Sequence, residues 1–142
     1  DDAAVEFAES WGIFMQLTNI LRDVQEDYER NRVYLPLDEL KRYGIEPDEL
    51  GEDLSDDLRW KAFASDFIGR AESYYFRAQQ LLPLLERNTR YSPAAMMAFY
   101  YSVLKKIKKR DGDVFNGTVK LSKAEKLTMA ALVYAKQRFW RL

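Results

Sequence analysis

The stretch Gln16-Leu-Thr-Asn-Ile-Leu-Arg-Asp-Val-Gln-Glu-Asp27 decides the reading of this chain. At about 100° per residue on a helix, Gly12, Gln16, Asn19, Asp23 and Asp27 fall on one narrow stripe, each a turn from the next. Beside it run Ile13, Phe14, Leu17, Ile20, Leu21 and Val24, an apolar arc wide enough to face a core. A polar seam solvated at a helix end is the bland account. It leaves unexplained why two amides and two carboxylates sit in register beside isoleucine. Carboxylates one turn apart repel, and burying them unpaired is costly. A hard cation that takes oxygen ligands reverses that cost. The helix therefore reads as one wall of a divalent-metal site.

Working outward, the pattern predicts one helix from about Asp1 to Glu29, broken over Asn31–Pro36, where Pro36 holds Leu35 extended. A short helix from about Leu37 to Tyr43 should stop at Gly44 as its C′ residue. Glu46 to Asp57 is acidic and turn-like, punctuated by Pro47 and Gly51. Trp60, Ala64, Phe67, Ala71, Tyr74, Ala78, Leu81 and Leu85 then alternate spacings of four and three, a seam of a long helix that Pro83 should kink or end. Ser92-Pro93 is expected to cap a further helix whose buried face reads Met96, Met97, Tyr100, Val103, Leu104 and Ile107, fading at Asp111-Gly112-Asp113. Ser122 with Glu125 forms a capping box for a last helix carrying Leu127, Ala131 and Tyr134 on one face. Thr118–Leu121 is the lone strand candidate. The fold class is all-α, a helical bundle.

The bulk composition narrows the chemistry. The 142 residues carry a net charge of −1, without the basic excess of a nucleic-acid binder. With no histidine and no cysteine, the usual general base, the Ser–His and Cys–His pairs and zinc–thiolate sites drop out. Chemistry must run on carboxylates, amides, tyrosines and basic side chains. No apolar run is long enough to span a membrane and no signal peptide is visible, so a cytoplasmic location is expected.

Gln16 to Asp27, continued by Arg30-Asn-Arg-Val-Tyr-Leu-Pro36, resembles the second aspartate-rich motif of the squalene/phytoene synthase family. Tyr100-Tyr-Ser-Val-Leu-Lys-Lys-Ile107 with Asp113-Val-Phe115 resembles a second segment of that family. The resemblance implies half of an all-helical isoprenoid-synthase fold and Mg²⁺-dependent head-to-head condensation of two prenyl diphosphates, farnesyl or geranylgeranyl diphosphate. NADPH would enter if the product is squalene. By the same resemblance Asn19, Asp23 and Asp27 are metal ligands, and Gln16 lies a turn further into the pocket. Arg32 is the first choice for diphosphate, with Arg30 beside it. Tyr100 lines the pocket by the reacting carbons, and Tyr34 belongs to the motif either as a substrate contact or as a core tyrosine.

Other features have plain explanations. Arg22 is expected to point away from the stripe and pair on the surface with Glu26, Glu29 or Asp27. Lys105, Lys106, Lys108, Lys109 and Arg110 complement a helix C-terminus, with a peripheral membrane contact as the alternative. Lys126 reads as structural. Asn31 stands where the family commonly has glycine, which a left-handed position would tolerate. Thr118 stands where the family often has an arginine near the diphosphate. No second aspartate pair matches Asp23/Asp27, since Asp53 and Asp57 have the spacing but sit in the turn-rich acidic segment. The chain, 1–142, thus reads as a single α-helical domain, the C-terminal portion of such an enzyme with the N-terminal half absent. Alone it would be inactive and prone to self-association. The rival expectation is a non-catalytic helical module or assembly factor that keeps the fold.

Overall fold

The computed structural model describes residues 2–139, and no strand occurs among them. Six α-helices follow one another: α1 (Asp2–Arg22), α2 (Val24–Glu29), α3 (Leu37–Arg42), α4 (Leu58–Ala78), α5 (Tyr91–Lys109) and α6 (Lys123–Phe139). Two 3₁₀ segments, Pro47–Gly51 and Gln79–Leu84, punctuate the loops, the second containing Pro83. The expected chain break near Pro83 is present. Thr118–Leu121 is not a strand, because an isolated extended segment has no neighbour to complete a ladder.

The core forms where α1 lies along α4, with α5 packed against both. On α1 the buried stripe is Ser10, Phe14, Thr18 and Leu21. Thr18 is fully buried, and its hydroxyl is satisfied by donating to the Phe14 carbonyl at 2.8 Å. On α4 the stripe is Trp60, Phe63, Ala64, Phe67, Ile68, Ala71, Tyr75 and Ala78. Trp60, Ala64, Phe67, Ala71 and Ala78 match the seam read from the sequence; Phe63 and Ile68 widen it, and Tyr75, stacked on Tyr101 at 3.9 Å, is buried where Tyr74 was expected. On α5, Met97, Val103, Leu104 and Ile107 are buried, while Met96 is 40% exposed.

The expected single helix over 1–29 is interrupted. At Asp23 the backbone takes φ −102°, ψ 13°, and α2 starts afresh at Val24. Three helices then end the same way. In α3 the Gly44 N–H donates to Lys41 and the Ile45 N–H to Leu40, a Schellman closure around Gly44 at φ +71°. Asn31 and Asp111, at φ +57° and +53°, play the same part for α2 and α5. Short polar side chains are the non-glycine residues that tolerate this conformation. At the start of α6 the expected capping box is present: the Ser122 N–H donates to Glu125 at 2.7 Å, and the Glu125 N–H to the Ser122 hydroxyl at 3.1 Å. The α5 start differs. It begins at Tyr91, one residue ahead of the Ser92 cap, with Arg90 tying back to the Pro83 and Leu85 carbonyls.

Candidate functional site

The break at Asp23 lies across a cavity from α5 and the connection into α6. The cavity measures about 560 Å³, and its walls include Arg22, Asp23 and Glu26 on one side and Tyr100 and Val103 on another. Thr118, Lys120 and Lys126 complete it from the α5–α6 connection and the first turn of α6. Two acidic and three basic side chains thus share one cavity with a half-buried tyrosine.

Asp23 does not stand alone. Arg22 forks onto it, Nε donating to Oδ1 and Nη2 to Oδ2, both at 2.6 Å. The two side chains are 27% and 23% exposed, so the pair is worth on the order of 1 kcal/mol, more than most surface pairs. Hydrogen bonding to Asp23 holds the Arg22 guanidinium above its usual pKa, against the opposing pull of burial. This corrects the expected place of Arg22. An ideal wheel separates it from the stripe, but the interrupted helix brings it onto a stripe residue.

One turn back, the Oδ1 atom of Asn19 is buried with no hydrogen-bond partner. A buried, unsatisfied acceptor oxygen one turn from a carboxylate suits a hard cation. No group of three or more acidic, histidine or cysteine side chains suited to a metal occurs among the described residues. Asn19 and Asp23, one turn apart, could contribute oxygens only to an open, partial Mg²⁺ site that water and phosphate oxygens would complete, while Asp27 lines a separate crevice.

The other motif residues are distributed around a second place. The Arg32 N–H donates to the Asp27 carbonyl at 2.9 Å as part of the α2 closure. Asp27, Arg32 and Tyr34 then line a narrow crevice with Ile20, Val24 and Leu50. Tyr34 is 51% exposed there, separate from the cavity that holds Tyr100. Arg30 lies on Glu26 at 2.7 Å, an exposed i, i+4 pair. Gln16 is exposed and lines neither space.

The lysine run has local partners. Lys106 bonds Glu125 and the Lys120 carbonyl, Lys108 bonds Glu72 through both oxygens, and Lys105 sits 5.0 Å from the centre of the Tyr101 ring. Asp57 caps α4 by accepting from the Arg59 N–H, and Asp53 accepts from the Ser55 N–H, so neither supplies a second acidic wall. Lys120 carried no signal in the sequence: only the course of the chain after Gly112 brings it opposite Arg22. No helix among the described residues is long and apolar enough to cross a membrane.

Known proteins share the sequence and the fold of this chain. The family model for squalene/phytoene synthase matches residues 1–125. The chloroplastic phytoene synthase of Daucus carota is 37% identical over 128 residues, which is 90% of this chain and 32% of that protein. The 15-cis-phytoene synthase of Synechocystis sp. is 38% identical over 111 residues, 78% of this chain and 33% of that protein. A dehydrosqualene synthase, solved by crystallography in complex with a ligand, superposes with a TM-score of 0.81 at 28% identity, covering 94% of this chain and 47% of that one. The chain thus spans about a third of the length of these curated relatives and about half of the solved one. With its all-helical fold and both sequence segments matched, the chain belongs to the squalene/phytoene synthase family.

Proposed function

We propose that a whole protein carrying this chain joins two prenyl diphosphates head to head, farnesyl or geranylgeranyl diphosphate, in the manner of a phytoene or squalene synthase. The observation that supports this most is the shared cavity of Asp23, Tyr100, Lys120 and Lys126, with the orphaned Asn19 oxygen a turn away on α1. Asn19 and Asp23 would hold Mg²⁺, with Asp27 added by the family resemblance alone. Such a cation supplies neutralisation of the departing diphosphate. Lys120 and Lys126, the latter expected from the sequence to be structural, line the same cavity as point charges for phosphate oxygens, where the family resemblance would put an arginine in place of Thr118. The Tyr100 ring borders the space where positive charge develops on the prenyl chain, and its quadrupole favours a cation there. Arg32, fixed beside Asp27 by the closure of α2, offers a guanidinium fork from the crevice side. The chain alone supplies one carboxylate pair and is expected to lack turnover.

The bidentate Arg22–Asp23 contact is what a non-catalytic module would also display. Calorimetric titration of this chain with MgCl₂, with and without pyrophosphate, separates the two readings. Weak binding that pyrophosphate strengthens is the expected result. Indifference to both would favour the module.

A further inference from the structure

Neighbouring residues on an unbroken helix do not face each other. Arg22 and Asp23 nevertheless meet fork to fork, which the change of backbone at Asp23 makes possible. The contact occupies both carboxylate oxygens, the same two atoms a divalent cation would take. It is also not walled in. Arg22 is partly exposed and opens onto a cavity of about 560 Å³. Lys120 and Lys126 line that cavity too, so a guanidinium that let go of Asp23 would enter a basic space suited to phosphate oxygens.

We propose that Arg22 is an exchangeable counter-ion for Asp23. It neutralises the carboxylate while no cation is bound and competes with a divalent cation for it. Once displaced, it turns its fork to the phosphate oxygens of an anionic ligand between Lys120 and Lys126. The proposal rests on Asp23 being a metal ligand. Its consequence is coupling: each ligand removes an obstacle to the other, so metal and diphosphate bind more tightly together than apart, and reciprocally.

The test is a titration of this chain with MgCl₂, alone and with saturating pyrophosphate. It is followed by calorimetry and by the Arg Nε–H resonances, for the wild type, Arg22→Gln, Arg22→Lys and Asp23→Asn. Removing the competing fork should tighten Mg²⁺ binding alone about tenfold in Arg22→Gln, while the tightening produced by pyrophosphate should fall about tenfold. Arg22→Lys, charged but without the fork, should lie between. In the wild type the Arg22 Nε–H signal should move as Mg²⁺ is added. If Arg22→Gln binds Mg²⁺ no better than wild type while Asp23→Asn has lost binding, the counter-ion role fails and the metal ligand stands. Should Arg22→Gln not fold, wild-type affinity in Arg22→Lys with an unmoved Arg22 signal would overturn the role equally. Wild-type Mg²⁺ affinity in Asp23→Asn, or no Mg²⁺ response in wild type and Arg22→Gln, removes Asp23 from the metal site and the proposal with it.

Discussion

Tyr100 separates a core role from a pocket role more cleanly than any other residue. Its ring is half-buried on α5 between the packed Met97 and Val103, yet it faces the cavity that Asp23 and Arg22 line. Phenylalanine keeps the ring and most of the packing, so Tyr100→Phe in a whole enzyme should leave the melting temperature almost unchanged. If the hydroxyl serves the reacting centre, loss of one preorganised group should lower turnover by ~10²–10³. Unchanged turnover would return Tyr100 to the core. Asp23→Asn makes the complementary forecast. It loses an ion pair of on the order of 1 kcal/mol but also a repelling neighbour of Asp27, so stability should fall by no more than about 1 kcal/mol while turnover is abolished. Urea denaturation beside a product assay checks both. The helix pattern put Tyr100 on the inner face of α5, and its place beside a pocket was what the family resemblance implied. The place of Arg22 was not legible: a wheel assumes one continuous helix, and a change of one residue's backbone dihedrals rewrites which side chains meet. The hydrogen bonds hide this break, since the Asp23 N–H still donates to Asn19 and the Asp27 N–H to Asp23.

Among the elements, α6 shows how a local signal and a distant partner combine. The capping box was readable from Ser122 and Glu125 alone, but the Lys106 ion pair across from α5 was not. Together they push the Glu125 carboxyl down to about 2 from its ordinary 4.5, Lys106 being the larger cause and the Ser122 groups the next. A carboxyl depressed on folding stabilises the fold above its unfolded pKa, and that contribution is lost as pH falls through the folded one. Protection of the α6 amides against hydrogen exchange should therefore be level above pH about 4.5 and decline towards about 2. In Glu125→Gln this acid dependence should disappear, and a profile identical to wild type would show that α6 is held by packing alone. Element α2 makes a second case. Asn31 at φ +57° closes the helix and thereby sets the Arg32 N–H on the Asp27 carbonyl. A β-branched residue tolerates that conformation poorly, so Asn31→Val should lose about 1–2 kcal/mol in chemical denaturation, whereas Asn31→Gly should stay near wild type.

Across the whole molecule, the joint that fixes the cavity lies far from the aspartates. Trp60, fully buried at the start of α4, donates its indole N–H to the Gly112 carbonyl at 2.9 Å and meets the Phe115 ring edge-on at 4.9 Å. This ties α4 to the chain that leaves α5, and so determines where Thr118, Lys120 and Lys126 pass opposite α1. The aromatic seam of α4 was plain in the sequence, whereas this long-range closure was not, because Asp111-Gly112-Asp113 reads as an ordinary helix end. Gly112 has φ +82°, and a Cβ there would overlap the Cβ of Ala64, which is anchored directly to the α4 backbone. Neither strain can be relieved by rotating a flexible side chain. Gly112→Ala should therefore lose about 2–4 kcal/mol, from the left-handed backbone and the forced separation of α4 from the loop. Gly69 is the control. It lies inside α4 with nothing near a built Cβ, so Gly69→Ala should gain about 0.5–1 kcal/mol from helix propensity. The two alanines differ in sign because one occupies a junction and the other an open face. If Gly112→Ala unfolds at the wild-type urea midpoint, the Trp60–Gly112 contact does not hold the cavity wall in place, and Lys120 and Lys126 must be positioned by α5 and α6 alone.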